Sequence, residues 1–367
     1  MTTAVDPPAD VARAARNRPF HTLTVADVER LCDDAVAVRF DVPADLLSEY
    51  DFRPGQSLTL SRVVDGVEHR RSYSICAPVG SAPRVGVREV TDGLFSSWLV
   101  HDVRAGDRID VQGPTGTFVA DPAMGGRHVL IAAGSGITPM LSIAASVLQN
   151  PDADVVLLYG NRRSRSVMFA DEIADLKDEY GARFEVIHVL SREPRDVELF
   201  TGRLDSERLH ALFADVVSTA DVDHFWLCGP FGMVTDAQKV LADRGVSAER
   251  IHHELFYVEE VPPPQERHRE PGVTGPSSDV TIVLDGRTVS GRLSRDQSIL
   301  DAGEQLRSDL PFACKGGVCG TCRAKVTRGE VDMRRNYALE SSEVEDGFVL
   351  TCQTFPVDDS VTVDFDA

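Results

Sequence analysis

Seven cysteines occur in the chain: Cys32, Cys76, Cys228, Cys314, Cys319, Cys322 and Cys352. Four of them fall in the last 54 residues, and three of those within nine. Cys314-x4-Cys319-x2-Cys322 followed by Cys352 has the ligand number and spacing of a plant-type 2Fe–2S site. Soft, anionic thiolates suit iron in both oxidation states. Gly316, Gly317 and Gly320 let backbone N–H groups turn inward toward the cluster sulfurs. Structural zinc prefers C-x2-C pairs or Cys/His sets, and an x4-plus-x2 spacing with one distant cysteine fits it poorly. Free core thiols would not collect on a glycine-rich loop. Cys32 and Cys76 are scattered and read as small buried hydrophobes.

Two further constellations could do chemistry. Gly134-Ser135-Gly136-Ile137-Thr138-Pro139 follows the apolar run HVLIAA and opens a helix, with Thr138 expected at the N-cap and Pro139 at the first helical position. The segment departs from a Rossmann fingerprint, having Pro139 where a third Gly or Ala would stand. Two glycines still permit close backbone approach, and the helix start offers N–H groups and a positive dipole end to a pyrophosphate. A tight turn without a ligand is the competing reading. Cys228-Gly229-Pro230 ends another apolar run, at the sheet edge where open α/β sheets bind ligands; a buried core thiol is the alternative for Cys228. A ribose 2′-phosphate wants guanidinium partners. Arg162, Arg163 and Arg165 follow VVLLYGN, and Ser191-Arg192 ends the next run, with Glu193 adjacent. These arginines favour NADPH, with NADH the alternative.

The elements that must carry these residues fall into three blocks. Residues 18–122 contain short runs bounded by Gly, Pro or Asp, such as Ala35 to Phe40, Ser57 to Leu60, Val85 to Val90 and Arg108 to Val111, which predict an antiparallel β-barrel. Residues 123–258 alternate unbroken apolar runs with helical periodicity, Phe169, Ile173, Leu176 and Tyr180 marking one helix face. That predicts an α/β domain with a doubly wound parallel sheet. Residues 259–278 are rich in proline, glycine and charge and read as a linker. Residues 279–367 open with TIVL, Asp285-Gly286 and RTVSGRL, a hairpin joined by a type I′ turn. A helix capped by Ser298 follows, within an α+β (β-grasp) domain.

Composition narrows the function further. With 38 Lys+Arg against 58 Asp+Glu the net charge is −20, which repels phosphate backbones and anionic lipid and argues against nucleic acid or membrane as partners. No run approaches the roughly 20 apolar residues of a membrane span. The N-terminus has no secretory signal pattern, so a cytoplasmic protein is expected. Residues 340–367 carry eight acidic and no basic side chains. They are a solvated face or a docking face for a basic partner.

Arg71-Ser72-Tyr73-Ser74 and Gly93-Leu94-Phe95-Ser96-Ser97, the latter after Arg88-Glu89-Val90, precede AAGSGITP and CGP. This order, over about residues 20 to 258, resembles the ferredoxin–NADP⁺ reductase superfamily. The resemblance implies FAD, with Arg71 and Arg88 among its binding residues, Tyr73 on the flavin ring and Ser74 near flavin N5. It also implies Gly93, Phe95, Ser96 and Ser97 as backbone and hydroxyl donors to the pyrophosphate, and Glu254 and Phe256 closing over the flavin. Gly134, Gly136, Thr138, Arg162, Ser191, Arg192, Cys228 and Gly229 would receive the dinucleotide, Cys228 lying against the nicotinamide. Ser74 and Cys228 are the candidate catalytic residues. PFACKGGVCGTCRAKV, NYALE and the C-terminal GFVLTCQTFPVDDSVTVDFDA extend the resemblance to the reductase family of the bacterial phenylacetyl-CoA epoxidase complex, whose di-iron oxygenase makes the ring epoxide. Reductases of Rieske oxygenases such as 3-ketosteroid 9α-hydroxylase share the domain order. The implied path runs from NAD(P)H to FAD to the cluster to the oxygenase component of a multicomponent monooxygenase, because flavin accepts two electrons and passes them on singly. A redox sensor is the non-enzyme alternative, but it has no need of a hydride-accepting site.

Overall fold

Short runs of β-formers closed by Asp, Gly and Pro make the N-terminal half a sheet. In the computed structural model, which describes residues 19–91, 93–257, 277–307, 309–339 and 341–367, six strands pair antiparallel: β1 (Phe20–Cys32), β2 (Ala35–Asp41), β3 (Ser57–Val64), β4 (Val67–Ser74), β5 (Arg84–Arg88) and β6 (Arg108–Thr115). Their order is β4-β3-β6-β1-β2-β5. The chain leaving β4 joins the two outer strands, since Ile75 bridges Val85 and Cys76 N–H donates to the Arg84 carbonyl at 2.8 Å. The sheet therefore curls into the expected barrel, filled by Leu23, Val38, Leu58, Leu60, Ile109 and Val111. Helix α1 (Leu94–His101) adds Phe95 and Leu99 to that core.

The next block is an all-parallel sheet. Strands β7 (Gly126–Ala133), β8 (Ala153–Asn161), β9 (Phe184–Leu190), β10 (His224–Pro230) and β11 (Ile251–Tyr257) lie in the order β11-β10-β7-β8-β9. Helices α2 (Ile137–Val147), α3 (Ala170–Tyr180), α4 (Ser206–Asp215) and α5 (Phe231–Asp243) connect them. The winding reverses between β7 and β10, so the crevice for a ligand opens above the carboxyl ends of these two strands. One local expectation changes. The helix begins at Ile137, after a 3-10 turn over Gly134–Gly136, so Gly136 and not Thr138 is its cap. Thr138 is buried inside the first turn, where its hydroxyl donates to the Ser135 carbonyl at 3.0 Å. Residue preference at a cap is a weak prior, and the glycine turn closes on itself one step earlier.

Barrel and parallel sheet are one compact unit. Ala35, Ala37, Cys76 and Phe118 share a core with Leu130, Met140, Phe169 and Trp226. Ser142 Oγ donates to the Ala77 carbonyl at 2.7 Å, and Ser146 Oγ accepts from Val79 N–H at 3.0 Å. Arg84 on β5 makes two hydrogen bonds to Glu172 on α3, at 2.9 and 2.8 Å.

The C-terminal residues form a second compact unit. Strands β12 (Ser277–Leu284) and β13 (Arg287–Ser294) are a hairpin whose turn residues Asp285 and Gly286 have φ of 56° and 67°, as type I′ requires. Helix α6 (Ile299–Gly303) follows, and Ser298 Oγ accepts from Asp301 N–H at 3.1 Å. Then come β14 (Arg323–Arg328), β15 (Val331–Met333), α7 (Ser341–Glu345), β16 (Phe348–Leu350), β17 (Thr354–Pro356) and β18 (Ser360–Asp364). The main sheet is ordered β13-β12-β18-β14-β16, with β12 and β18 parallel and the other pairs antiparallel. The expected linker, apart from its last two residues, lies outside the described residues, as do residues 1–18 and Glu340. Among the described residues no helix is long and apolar enough to cross a membrane.

Candidate functional site

The four clustered cysteines come together on the C-terminal unit. Their thiols meet in two pairs, Cys314 with Cys319 and Cys322 with Cys352. Two irons taking two thiolates each suit this arrangement. Gly316 N–H and Val318 N–H donate to Cys314 Sγ at 3.3 and 3.5 Å. With the Cys319 thiol as first cause and these N–H groups assisting, the Cys314 thiol is pulled below its ordinary value despite burial. Gln353 Nε2 donates to the Lys315 carbonyl at 2.8 Å and to the Cys352 carbonyl at 3.1 Å, tying the first ligand's loop to the fourth ligand. Lys315 Nζ in turn donates to Asp301 at 2.9 Å and to Glu304 at 2.6 Å. The donor set fits a 2Fe–2S cluster.

The C-terminal acidic residues mostly have structural partners. Glu343 pairs with Arg323 and Asp359 with Arg295, at 2.8 and 2.6 Å. Asp358 accepts from Glu330 N–H, Asp364 from Asp366 N–H, and Asp366 caps the hairpin turn through Asp285 N–H and Gly286 N–H. Glu345 and Asp346, beside exposed Val344, lie open to solvent, as do Asp358 and Asp359 despite their partners.

In the larger unit the residues expected to meet a flavin sit on two elements. Strand β4 carries Arg71, Tyr73 and Ser74, and α1 begins just after Gly93. Tyr73 packs beside Phe95, with ring centroids 6.1 Å apart, and burial pushes its phenol up, keeping it neutral. Arg71 is exposed and donates to the neighbouring Arg70 carbonyl at 2.7 Å. The two serines have partners within their own turn. Ser96 Oγ accepts from Val90 N–H at 3.0 Å and donates to the Gly93 carbonyl at 3.4 Å, while Ser97 reaches Glu89. These hydroxyls shape the turn that opens α1, whose first-turn N–H groups have no intrahelical acceptors.

The two dinucleotide motifs pack directly on one another. A side chain at Gly136 would collide with the Cys228 carbonyl, so only glycine permits the contact. Gly134 has a φ of 57°, and the Tyr159 hydroxyl donates to its carbonyl at 3.0 Å. A pyrophosphate needs this kind of bare backbone cradle. Arg88 reaches the same turn from the barrel. It bonds the Ser166 carbonyl and lies 3.3 Å from Asp34, and a Cβ on Gly134 would sit 3.1 Å from its Nη1.

At the mouth of the crevice the barrel meets the parallel sheet. Cys228 on β10 stands opposite Glu254 on β11 in register, and Ser74 Oγ–H donates to Glu254 Oε2 at 3.4 Å. Burial pushes the Glu254 carboxyl up to about 8 against the Ser74 hydrogen bond, so it holds a proton at neutral pH. Burial and the nearby Glu254 push the Cys228 thiol up, and it stays neutral. Phe256 is half-buried against the shared core. On the other flank, Arg162 and Arg192 are exposed at adjacent strand ends, where Arg192 N–H donates to the Arg162 carbonyl at 2.8 Å and Ser191 N–H to the Asn161 carbonyl at 2.9 Å. Sequence reasoning passed over the Thr201-Gly202-Arg203 turn. A bridge between Leu190 and Thr201, with Gly202 N–H donating to the Leu190 carbonyl, returns that segment to the end of β9. Only the Thr-Gly-Arg turn hinted at it.

Three family models match the chain: an oxidoreductase FAD-binding domain over residues 22–119, an oxidoreductase NAD-binding domain over 130–239 and a 2Fe-2S iron-sulfur cluster binding domain over 282–357. A component of the 1,2-phenylacetyl-CoA epoxidase of Escherichia coli is 43% identical over 353 residues, 95% of this chain and 98% of that one. The ferredoxin reductase component of 3-ketosteroid-9-alpha-monooxygenase from Mycolicibacterium smegmatis is 35% identical, covering 94% of this chain and 96% of that one. Phthalate dioxygenase reductase, at 22% identity, shares the fold with a TM-score of 0.61 over 94% of this chain and 98% of that one.

Proposed function

The chain belongs to the flavin- and iron–sulfur-dependent reductase components of oxygenases, and from that premise we propose that it draws hydride from NADPH for an oxygenase that epoxidises phenylacetyl-CoA. Bound FAD supplies the step from a two-electron donor to the one-electron 2Fe–2S cluster. The protein's part is to bind, orient and exclude water. Arg71 and the first-turn N–H groups of α1 hold the flavin pyrophosphate, neutral Tyr73 covers the ring, and Arg88 serves the cofactors from its place beside the Gly134 turn. The turn Gly134–Gly136 and Gly229 admit the dinucleotide, Thr138 holds that turn, and Arg162, Ser191 and Arg192 receive its 2′-phosphate. Glu254 keeps a proton on its carboxyl beside Ser74 Oγ, and the neutral Cys228 thiol packs against the nicotinamide. Phe256, packed on the shared core, closes over the flavin from β11 with Glu254. Cys314, Cys319, Cys322 and Cys352 hold the cluster.

The observation carrying the redox reading is the meeting of Ser74, from the barrel, with Glu254, opposite Cys228 on the parallel sheet. It gives one crevice access to both cofactor seats. The choice of acceptor rests on the greater identity to the epoxidase component than to the steroid reductase. Reconstitution with NADPH, oxygen, phenylacetyl-CoA and the epoxidase oxygenase tests both. Epoxide that depends on this chain is the expected result. Cytochrome c reduction without epoxide would retain the redox path and move the acceptor to another oxygenase, the Rieske steroid system first.

A further inference from the structure

Glu193 stands just beyond β9 and has no part in the reading above. Ser164 engages both of its carboxylate oxygens: Ser164 N–H donates to Oε2 at 2.9 Å, and Ser164 Oγ lies 2.9 Å from Oε1 and 3.0 Å from Oε2. Ser164 opens the 3-10 turn Ser164–Ser166 that follows β8, and Arg163 N–H donates to Ser166 Oγ at 3.0 Å to close it. The two backbone bonds from Ser191 and Arg192 to Asn161 and Arg162 run alongside. The loop after β8 and the loop after β9 are thus laced together, and Glu193 is the side-chain end of the lacing.

Arg162, Arg163, Arg165, Arg192 and Arg195 issue from these two loops, all exposed, and Glu193 is the single acid among residues 161–167 and 191–195. Five guanidinium groups on two short loops concentrate like charge that Glu193 alone among these residues offsets. Ser164's donors, assisted by Arg195 and Arg163, hold the Glu193 carboxyl below its usual range, so it stays charged. We propose that Glu193 is a positioning residue for dinucleotide binding, which holds Ser164 so that the arginine-bearing loops keep the spacing that receives the adenosine phosphate. The inference rests on the NADPH reading above and adds to it the residue that sets the geometry of the seat.

The test uses the full-length holoprotein, titrated calorimetrically with 2′,5′-ADP and with 5′-AMP and assayed with NADPH and NADH. Glu193→Ala should weaken 2′,5′-ADP by roughly tenfold, about what one hydrogen bond to a charged group contributes. It should raise KM for NADPH more than it lowers kcat, with flavin and cluster spectra intact. Glu193→Gln, which keeps one acceptor for Ser164, should recover part of the loss. Unchanged or tighter 2′,5′-ADP binding by Glu193→Ala would overturn the proposal, since a carboxylate that merely repels phosphate gives that result. The NADPH reading fails separately if the wild type binds 2′,5′-ADP no better than 5′-AMP. Glu193 is then judged by whether Glu193→Ala loses 5′-AMP.

Discussion

The cluster loop and the flavin–dinucleotide crevice are built on opposite principles. Three of the four cluster ligands lie within nine residues, and the Cys314 sulfur is dressed by N–H groups two and four residues further on. The crevice instead brings Ser74 to Glu254 across 180 residues of chain, through a barrel closed by the Ile75–Val85 bridge and a sheet braced against it. A site made of near neighbours tolerates changes elsewhere and is destroyed by loss of one ligand. A site made by docking depends on every brace between its halves.

The comparison is broken most severely at the cluster. Cys319→Ser should abolish the cluster absorbance and the reduction of any acceptor protein, while NADPH still bleaches the flavin. Retained acceptor reduction would refute the linear path. The next effect in size lies in the crevice. Glu254→Gln should slow flavin reduction by about 10²-fold, the lower end of what a positioned proton-holding group contributes. The wild-type rate should fall as pH rises through about 8, where Glu254 loses its proton, and the variant should be flat there. Stopped-flow reduction across pH 6 to 9 separates these outcomes.

A smaller effect probes the docking itself. Arg84→Ala removes two hydrogen bonds to Glu172 and should cost about 1–3 kcal/mol, lowering Tm by several degrees. The cluster absorbance, borne by the other unit, should survive to the same temperature as in the wild type. The smallest effect concerns acid. His128 is fully buried beside Trp226 and His224, and His252 stacks on Trp226 at 4.2 Å. Burial first, and His224 next, push both histidines down to about 4. Their folded forms bind fewer protons than unfolded ones with an ordinary value near 6.5, so stability rises with pH between those limits and is lost as pH falls from about 6.5 toward 4. Thermal melts should show Tm falling over that window, and His128→Gln should flatten the slope. An unchanged slope would remove the histidines as its cause.

Much of this was legible from residue order. The spacing of Cys314, Cys319 and Cys322, the Asp285-Gly286 turn and the apolar runs of β7 to β10 each rest on interactions within a few residues, where side-chain type and backbone geometry are directly linked. The strand β4 motif and the glycines of Gly134–Gly136 could likewise be read, though not the reason Gly136 must be bare, which is the Cys228 carbonyl pressed against it. Residue order gave no sign that several of the eight C-terminal acids would also serve hairpin N–H groups and distant arginines. Nor did periodicity hold any trace of Ser96 spending its hydroxyl on its own turn.

Local pattern, then, was legible in the sequence alone: where the four clustered cysteines fall, where glycine-rich turns open helices, and which stretches become strands. Tertiary structure alone decided that barrel and parallel sheet would share one core, that Glu254 would meet Ser74 where burial raises its carboxyl, and that Glu193 would lace two strand ends together. The physical reason is range. Ligand spacing and turn geometry are set by a few covalent bonds, whereas burial, and with it proton affinity, depends on surfaces that meet only when segments some hundred or more residues apart pack together.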